Sequence, residues 1–167
     1  VNSLYAFANL GFKNYAFLDL TYRTDISSTL PVDTNQYDYI SAGLSAILSD
    51  MIDLPSAFDY FKIRASYAEV GNDTSPYQLS RAANLQNGGF IQLSTSAPAS
   101  DLRPEKTTSL EFGFDTTLFN RVNIDFTYYK SNSFDQLFRQ NVPQGSGIAT
   151  KFINGADIEN TGIEAAI

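Results

Sequence analysis

The sequence predicts an all-β fold, an antiparallel up-and-down sheet of about seven strands that forms a segment of a larger transmembrane β-barrel. Three observations carry this expectation. Period-two alternation of apolar and polar residues recurs along the 167 residues, as half-buried strands require. Tight turns alternate with long polar connections, the signature of a meander with short turns at one end and loops at the other. No stretch approaches the roughly 18 uninterrupted apolar residues of a membrane helix.

The strands follow in order. The opening Val1-Asn2-Ser3-Leu4-Tyr5-Ala6-Phe7 reads as a strand already under way, although from Leu4 to Phe12 the pattern is less clean, because Tyr5 and Phe7 share a face with Ser3 and Asn9. Lys13-Asn14 is a tight turn. Ala16, Leu18, Leu20 and Tyr22 then oppose Asp19, Thr21 and Arg23. Ile40, Ala42, Leu44, Ala46 and Leu48 face away from Tyr39, Ser41, Gly43 and Ser45, and Leu44 to Met51 is the one stretch with some helical character. With parity reversed, Phe61, Ile63, Ala65 and Tyr67 oppose Lys62, Arg64, Ser66 and Ala68. Leu110, Phe112 and Phe114 alternate with Ser109, Glu111, Gly113 and Asp115. After a tight turn at Asn120-Arg121, Val122, Ile124, Phe126 and Tyr128 oppose Asn123, Asp125, Thr127 and Tyr129. The closing Gly162-Ile163-Glu164-Ala165-Ala166-Ile167 reads as a strand cut short. Thr24 to Gln36, Gly71 to Lys106 and Ser131 to Asn160 are the long polar stretches. Ser49 to Phe58, of middling length, falls where another short turn belongs. Ordinary domains rarely carry structureless loops beyond about 15 residues.

Composition removes whole classes of function. Eleven Lys and Arg against 18 Asp and Glu leave a net charge of −7, unsuited to nucleic acid, which needs clustered cations. The absence of Cys and His excludes disulfides, Cys/His zinc sites and Ser-His-Asp or Cys-His catalysis. No enzyme, cofactor or metal is expected. The 10 Tyr and 13 Phe suit strands and membrane interfaces.

Alternation alone fits both a soluble barrel with its apolar face inward and a membrane barrel with that face on lipid. Three features favour lipid. The opposing face carries Asp19, Arg23, Lys62, Arg64, Glu111, Asp115 and Asp125, which suit a wet lumen, although a solvated surface would accept them too. Strands of about ten residues at about 3.3 Å each, tilted near 45°, span roughly 23 Å, close to an outer-membrane apolar band. Tyr15, Tyr22, Tyr37, Tyr39, Phe119, Tyr128 and Tyr129 gather near strand ends, as interfacial aromatics do. The lipid-facing set is then Leu18, Leu20, Leu44, Phe61, Ile63, Leu110, Phe112, Phe114, Ile124 and Phe126.

Four passages together resemble the SusC/RagA-type TonB-dependent outer-membrane transporters: Tyr22-Arg23-Thr24-Asp25-Ile26-Ser27-Ser28-Thr29-Leu30-Pro31, Arg64-Ala65-Ser66-Tyr67-Ala68-Glu69-Val70-Gly71-Asn72-Asp73, Leu102-Arg103-Pro104-Glu105-Lys106-Thr107-Thr108-Ser109-Leu110-Glu111 and Ile158-Glu159-Asn160-Thr161-Gly162-Ile163-Glu164. Their order and spacing fit as well. Departures are small: the family usually has Trp where Ile26 stands, and often Lys where Arg103 and Thr161 stand. The resemblance implies that residues 1–167 are part of the β-barrel domain, from roughly the middle strands of a barrel of about 22 strands, with the plug domain and remaining strands outside this chain. It implies a Gram-negative outer-membrane receptor for active nutrient uptake, importing oligosaccharides or peptides with energy delivered by TonB through a plug segment. A SusD-type surface lipoprotein would be its partner, and outer-membrane lipid its surroundings. A passive porin or structural outer-membrane barrel is the first alternative, which a plug domain would decide against. A soluble carbohydrate-binding β domain is the second.

Individual residues carry lesser expectations. Arg103-Pro104-Glu105-Lys106 starts a strand, because Pro is tolerated at a strand's beginning and not centrally in a sheet. Glu105 and Lys106 are expected to be solvated there, or to pair with each other. The charged face would line the transport path or contact the plug, or its charges would only satisfy one another and lumen water. Gly71-Asn72-Asp73-Thr74 reads first as a turn, with a glycosylation acceptor or calcium ligands at Asn72 and Asp73 as weaker readings. Tyr77 and Phe90, in the longest connection, are expected first to pack locally, with stacking on a sugar ring or peptide as the other reading. Phe134-Asp135-Gln136-Leu137-Phe138-Arg139-Gln140 is expected to pack on itself or to extend a hairpin above the membrane. Gly145-Ser146-Gly147 lacks the third glycine of a nucleotide-binding fingerprint.

Overall fold

The computed structural model describes every residue except Ser100, Gln144 and Ser146. The chain forms β1 (Asn2–Phe12), β2 (Ala16–Ile26), β3 (Gln36–Ile47) and β4 (Phe58–Asn72), then a small hairpin of β5 (Ala83–Leu85) and β6 (Ile91–Leu93). β7 (Glu105–Leu118), β8 (Val122–Asn141) and β9 (Thr150–Ala166) complete it. Seven strands make one antiparallel sheet in the order β1-β2-β3-β4-β7-β8-β9, and β5–β6 stand apart within the β4–β7 connection. Every sheet neighbour is thus the next long strand in sequence. The sheet is open: β1 and β9 are its two edges.

The turns explain the meander. Lys13 and Asn14 both take positive φ, 49° and 61°, as do Phe119 and Asn120, 53° and 52°. β-Turns with both central residues in that region match the right-handed twist of paired strands, and each closes a three-residue connection here. The second tight turn is therefore centred on Phe119-Asn120, one residue earlier than expected, and the side chain of Asp59 anchors it by accepting from the Asn120 backbone N–H and from its Nδ2 at 2.8 Å. The Leu44–Met51 stretch is strand as far as Ile47, followed by a single 3-10 turn, Leu48–Asp50, so Leu48 lies beyond the strand. The third long polar stretch is mostly strand. The β8–β9 ladder runs up to Asn141↔Thr150, with irregularities at Ser133, Gln136 and Leu137. Phe134 to Gln140 thus extends the hairpin.

One register relates all seven strands. A row along the sheet reads Asn9, Asp19, Gly43, Ser66, Glu111, Tyr129, Gly162; the row beside it reads Leu10, Leu18, Leu44, Ala65, Phe112, Tyr128, Ile163. The sheet therefore has one polar and one apolar face, since successive side chains point to opposite sides. Among the described residues the apolar face carries no second layer: Phe112 is 49 % exposed and Leu44 53 %. The hydrophobic side chains buried among the described residues are Leu30, Ala99 and Leu102, and they cluster at the loop end with Tyr37, Leu137 and Phe152 packed against them. The fold buries its apolar side chains at the rim and not beneath the sheet.

Glycines open the polar face where large side chains cross it. Arg64 lies over Gly113, where an added Cβ would stand 2.7 Å from its Nε and 2.8 Å from the Phe126 carbonyl oxygen. Opposite Asp19, an added Cβ at Gly43 would meet nothing closer than 3.8 Å. Gly113→Val in the full-length protein is expected to lower stability by about 1–3 kcal/mol through overpacking, whereas Gly43→Ala stays near neutral. The thermal midpoints of the two purified variants check this contrast.

Candidate functional site

All seven charged residues singled out by alternation share the polar face. Arg64 on β4 reaches across β7 to β8. Its guanidinium pairs with Asp115, and its Nη2 donates to Asp125 Oδ1 at 2.8 Å and Thr127 Oγ1 at 2.6 Å. Gly113 makes this crossing possible by leaving no side chain in its way. Lys62 stands opposite Asp115 in register, so the cluster carries two cations and two carboxylates. Asp19 accepts a bond from Asn9 Nδ2 on β1. Glu111 sits between Ser66 and Tyr129. Nearer the loops, Arg23 Nε donates to the buried Asp25 at 2.8 Å and its Nη2 to Ser3 at 3.2 Å. The groups of the Arg64 cluster are partly exposed, so each of its pairs contributes only about 0–1 kcal/mol. Their consequence is a wettable, charged wall and not a tightened core.

The ten residues assigned to the opposite face all lie on it. Leu18, Leu20, Leu44, Ile63, Leu110, Phe112, Phe126 and their row neighbours form a continuous apolar field. Toward the short turns it becomes aromatic: Phe61 and Phe114 lie 5.9 Å apart and Phe114 stacks on Phe126 at 5.3 Å, with Ile124 beside them. Toward the loops it ends in a line of polar pairs. Tyr22 donates to Asp38 at 3.1 Å, Tyr67 to Glu69 at 2.6 Å, Lys106 pairs with Glu69 at 3.0 Å and Lys130 with Glu159 at 2.9 Å. Of the aromatics expected at the borders, Tyr22 and Tyr128 are on this face. Tyr37, Tyr39 and Tyr129 are on the polar one, because their odd positions fix their side whatever their distance from the strand end.

The passage from Leu102 to Lys106 is a clamp and not a solvated strand start. Leu102, 1 % exposed, fills the rim cluster, and its carbonyl accepts from Thr34 Oγ1 at 2.8 Å. Arg103 pairs with Asp135 at 2.7 Å, and its backbone N–H and carbonyl are both held by the Asn154 amide, at 2.9 and 2.8 Å. Pro104 sets the strand's start. Glu105 and Lys106 point to opposite faces and do not pair with each other. Glu105 accepts from the Leu137 N–H at 2.7 Å and from Asn72 at 3.2 Å, while Lys106 serves the apolar face's polar border. Alternation could not reveal this clamp, since each partner is supplied by a different loop or strand.

The four loop candidates separate into two kinds. Asn72 bonds Glu105, and Asp73 accepts from Ser27 at 2.5 Å and Thr29 at 3.1 Å. These side chains knit the loops together. Tyr77 and Phe90 stand free at 87 % and 74 % exposure. Truncating the clamp tests its weight. Leu102→Ala is expected to cost about 2–5 kcal/mol at the rim, and Arg103→Ala about 0–1 kcal/mol. Limited proteolysis of the purified full-length protein checks this: Leu102→Ala speeds cleavage within 73–104, and Arg103→Ala changes it little.

Comparison with known proteins agrees with this geometry. The family model described as TonB dependent receptor-like, beta-barrel, matches residues 1–167. TonB-dependent receptor P3 of Formosa agariphila is 28 % identical over 178 residues, covering 99 % of this chain and 18 % of the relative. The structure of the RagAB peptide importer in its closed-closed state superposes with a TM-score of 0.83 at 24 % identity, covering 98 % of this chain and 19 % of that one. The siderophore receptor PirA from Pseudomonas aeruginosa superposes at 0.67 with 16 % identity, covering 98 % and 30 %. This chain thus spans less than a third of the proteins it matches. The TonB-dependent part of the resemblance carried by its four passages is met by the family match, and the RagAB structure has the same fold. The full-length family match, the antiparallel meander and the split into one charged and one apolar face together show that the chain belongs to the TonB-dependent receptor-like β-barrel family.

Proposed function

We propose that this chain is a wall segment of a SusC/RagA-type active transporter in the outer membrane of a Gram-negative bacterium. The whole protein would import peptides or oligosaccharides, draw energy from TonB through a plug domain, and work beneath a SusD-type surface lipoprotein. The observation that carries the reading is the single uncovered sheet with an apolar field on one face and charges on the other. In water such a field would be a large exposed patch, which soluble monomers rarely tolerate. In lipid it is the required surface.

Dimensions support the same reading. On β7 the apolar face runs from Leu110 to Leu118, about 26 Å along the strand and about 19 Å across a membrane at a tilt near 45°. The polar pairs at its loop end fit the headgroup boundary. The open edges at β1 and β9 fit a larger closed barrel, because an unpaired edge in lipid would leave its backbone N–H and C=O groups unsatisfied. Asp19, Arg23, Lys62, Arg64, Glu111, Asp115 and Asp125 then face a watery lumen, where they line the path or meet the plug. Tyr77 and Phe90 are exposed aromatics at the loop end, available to stack on cargo. This is recognition and gated release, with no covalent step.

Two experiments test this. In the full-length protein in its native membrane, a cysteine at Phe112 is expected to react with a lipid-soluble maleimide and not with a charged one, and a cysteine at Glu111 the reverse. Phe112→Arg should cost about 2–4 kcal/mol of barrel stability, and Ser66→Arg on the other face little. Identical labelling of both cysteines by the charged reagent would overturn the orientation. For function, cells lacking the gene should lose uptake of labelled oligopeptides or oligosaccharides, and cells lacking TonB should lose it equally. Uptake that survives loss of TonB would favour a passive pore.

A further inference from the structure

Most of the sheet's ladders run to the rim. β2–β3 pairs up to Ile26↔Gln36, β4–β7 up to Asn72↔Glu105, and β8–β9 up to Asn141↔Thr150. β3–β4 does not. Its ladder stops at Ser41↔Ala68, although β3 continues to Gln36 and β4 to Asn72. Above that rung the wall is split into two leaves, β1–β3 on one side and β4, β7, β8 and β9 on the other.

Side chains occupy the split in place of rungs. The next pair in register would be Ile40↔Glu69, but there is no rung there, and the Glu69 carboxylate takes Tyr67 and Lys106 instead. The ring of Tyr39 lies where a side chain at Gly71 would have to be, so it bridges the split and only glycine fits beside it. A cavity of about 360 Å³ opens here, lined by Arg23, Asp25, Tyr39, Ile40, Glu69 and Gly71. Across the top, the loop after β2 is tied to the loop after β4: Ser27 and Thr29 donate to Asp73, Thr34 donates to the Leu102 carbonyl, and Leu30 shares the buried cluster with Leu102.

We propose that this seam is a latch in the rim. The two leaves can part above Ser41↔Ala68 because no ladder holds them, and Asp73 and the Tyr39–Gly71 contact hold the closed position. Elsewhere in the sheet, parting two strands breaks a run of main-chain hydrogen bonds. Here it breaks a few side-chain hydrogen bonds that water can replace, together with the one small apolar contact between Leu30 and Leu102. The split begins at the level of the Tyr67–Glu69–Lys106 border, where water can reach the parted backbone groups; in hydrocarbon they could not be satisfied. Opening enlarges a side window at the loop end while the strands below stay paired. The inference concerns mobility alone, so its failure is distinguishable from failure of the transport reading.

Hydrogen exchange on the full-length protein in detergent, read peptide by peptide, tests it. Residues 27–40 and 69–73 should exchange together, about tenfold faster than 41–47 and 62–68. Asp73→Ala should speed that unit about tenfold further, and leave 62–68 and 105–118 unchanged. A disulfide between Tyr39→Cys and Val70→Cys should slow it to the rate of the ladder below, reversibly on reduction. If residues 36–40 exchange as slowly as 41–47 in the parent protein, the seam does not open and the proposal fails. If Asp73→Ala accelerates only 27–35, the leaves are not joined through Asp73 and the proposal fails equally.

Discussion

The structure depends on one constraint: in a single-layer sheet, every backbone donor and acceptor must be satisfied by the neighbouring strand. Once the ladder takes those groups, only the side chains distinguish the two surfaces, and their alternation assigns each residue to a face without further choice. Asp19, Arg64 and Asp125 share a face because their register partners do, not because they attract one another. The polar network around Arg64 is a consequence of that sharing. It needs Gly113 as much as it needs Asp115, since the guanidinium must cross a strand to find its second carboxylate.

The same constraint explains why the hydrophobic cluster sits at the rim. A sheet whose apolar face is left open has no interior of its own. The side chains that are buried, Leu30, Ala99 and Leu102, belong to connections that must be ordered without a ladder. Order there comes from a small apolar knot and from carboxylates and amides: Asp73 accepts from the Ser27 and Thr29 hydroxyls of the β2–β3 loop, Glu105 holds the Leu137 N–H, and Asn154 holds the Arg103 backbone. The loop end is therefore a built object, with the clamp at Leu102–Lys106 as its centre. The short-turn end is built differently, from paired residues at positive φ and the anchoring carboxylate of Asp59.

In the proposed reading, the chain divides its work by height. There the apolar field and its polar border would meet a bilayer, the charged face would meet water inside a barrel, and the knotted loops would form its outer surface. Tyr77, Phe90 and the exposed β5–β6 hairpin stand outside the knot. This separates the loop residues that hold the rim from those free to touch something else. Asn72 and Asp73 fall in the first group, despite residue types that suit a ligand.

The sequence by itself determined the class, the strand order and the two faces, because period two in side-chain direction is a property of the extended backbone and is written directly in the residues. Lys13-Asn14 marked its turn for the same local reason. What only the tertiary structure decided is whatever depends on contacts between distant positions. The strands continue through Ser131 to Asn160 because β8 and β9 find each other, although their residues alone look like loop. Arg103, Glu105 and Lys106 look solvated until Asp135, Asn154, Leu137 and Glu69 are brought to them. Tyr37 and Tyr39 look like border aromatics until register puts them on the charged face. The early end of the β3–β4 ladder is invisible in either strand alone, because a missing rung belongs to the pair and not to its members.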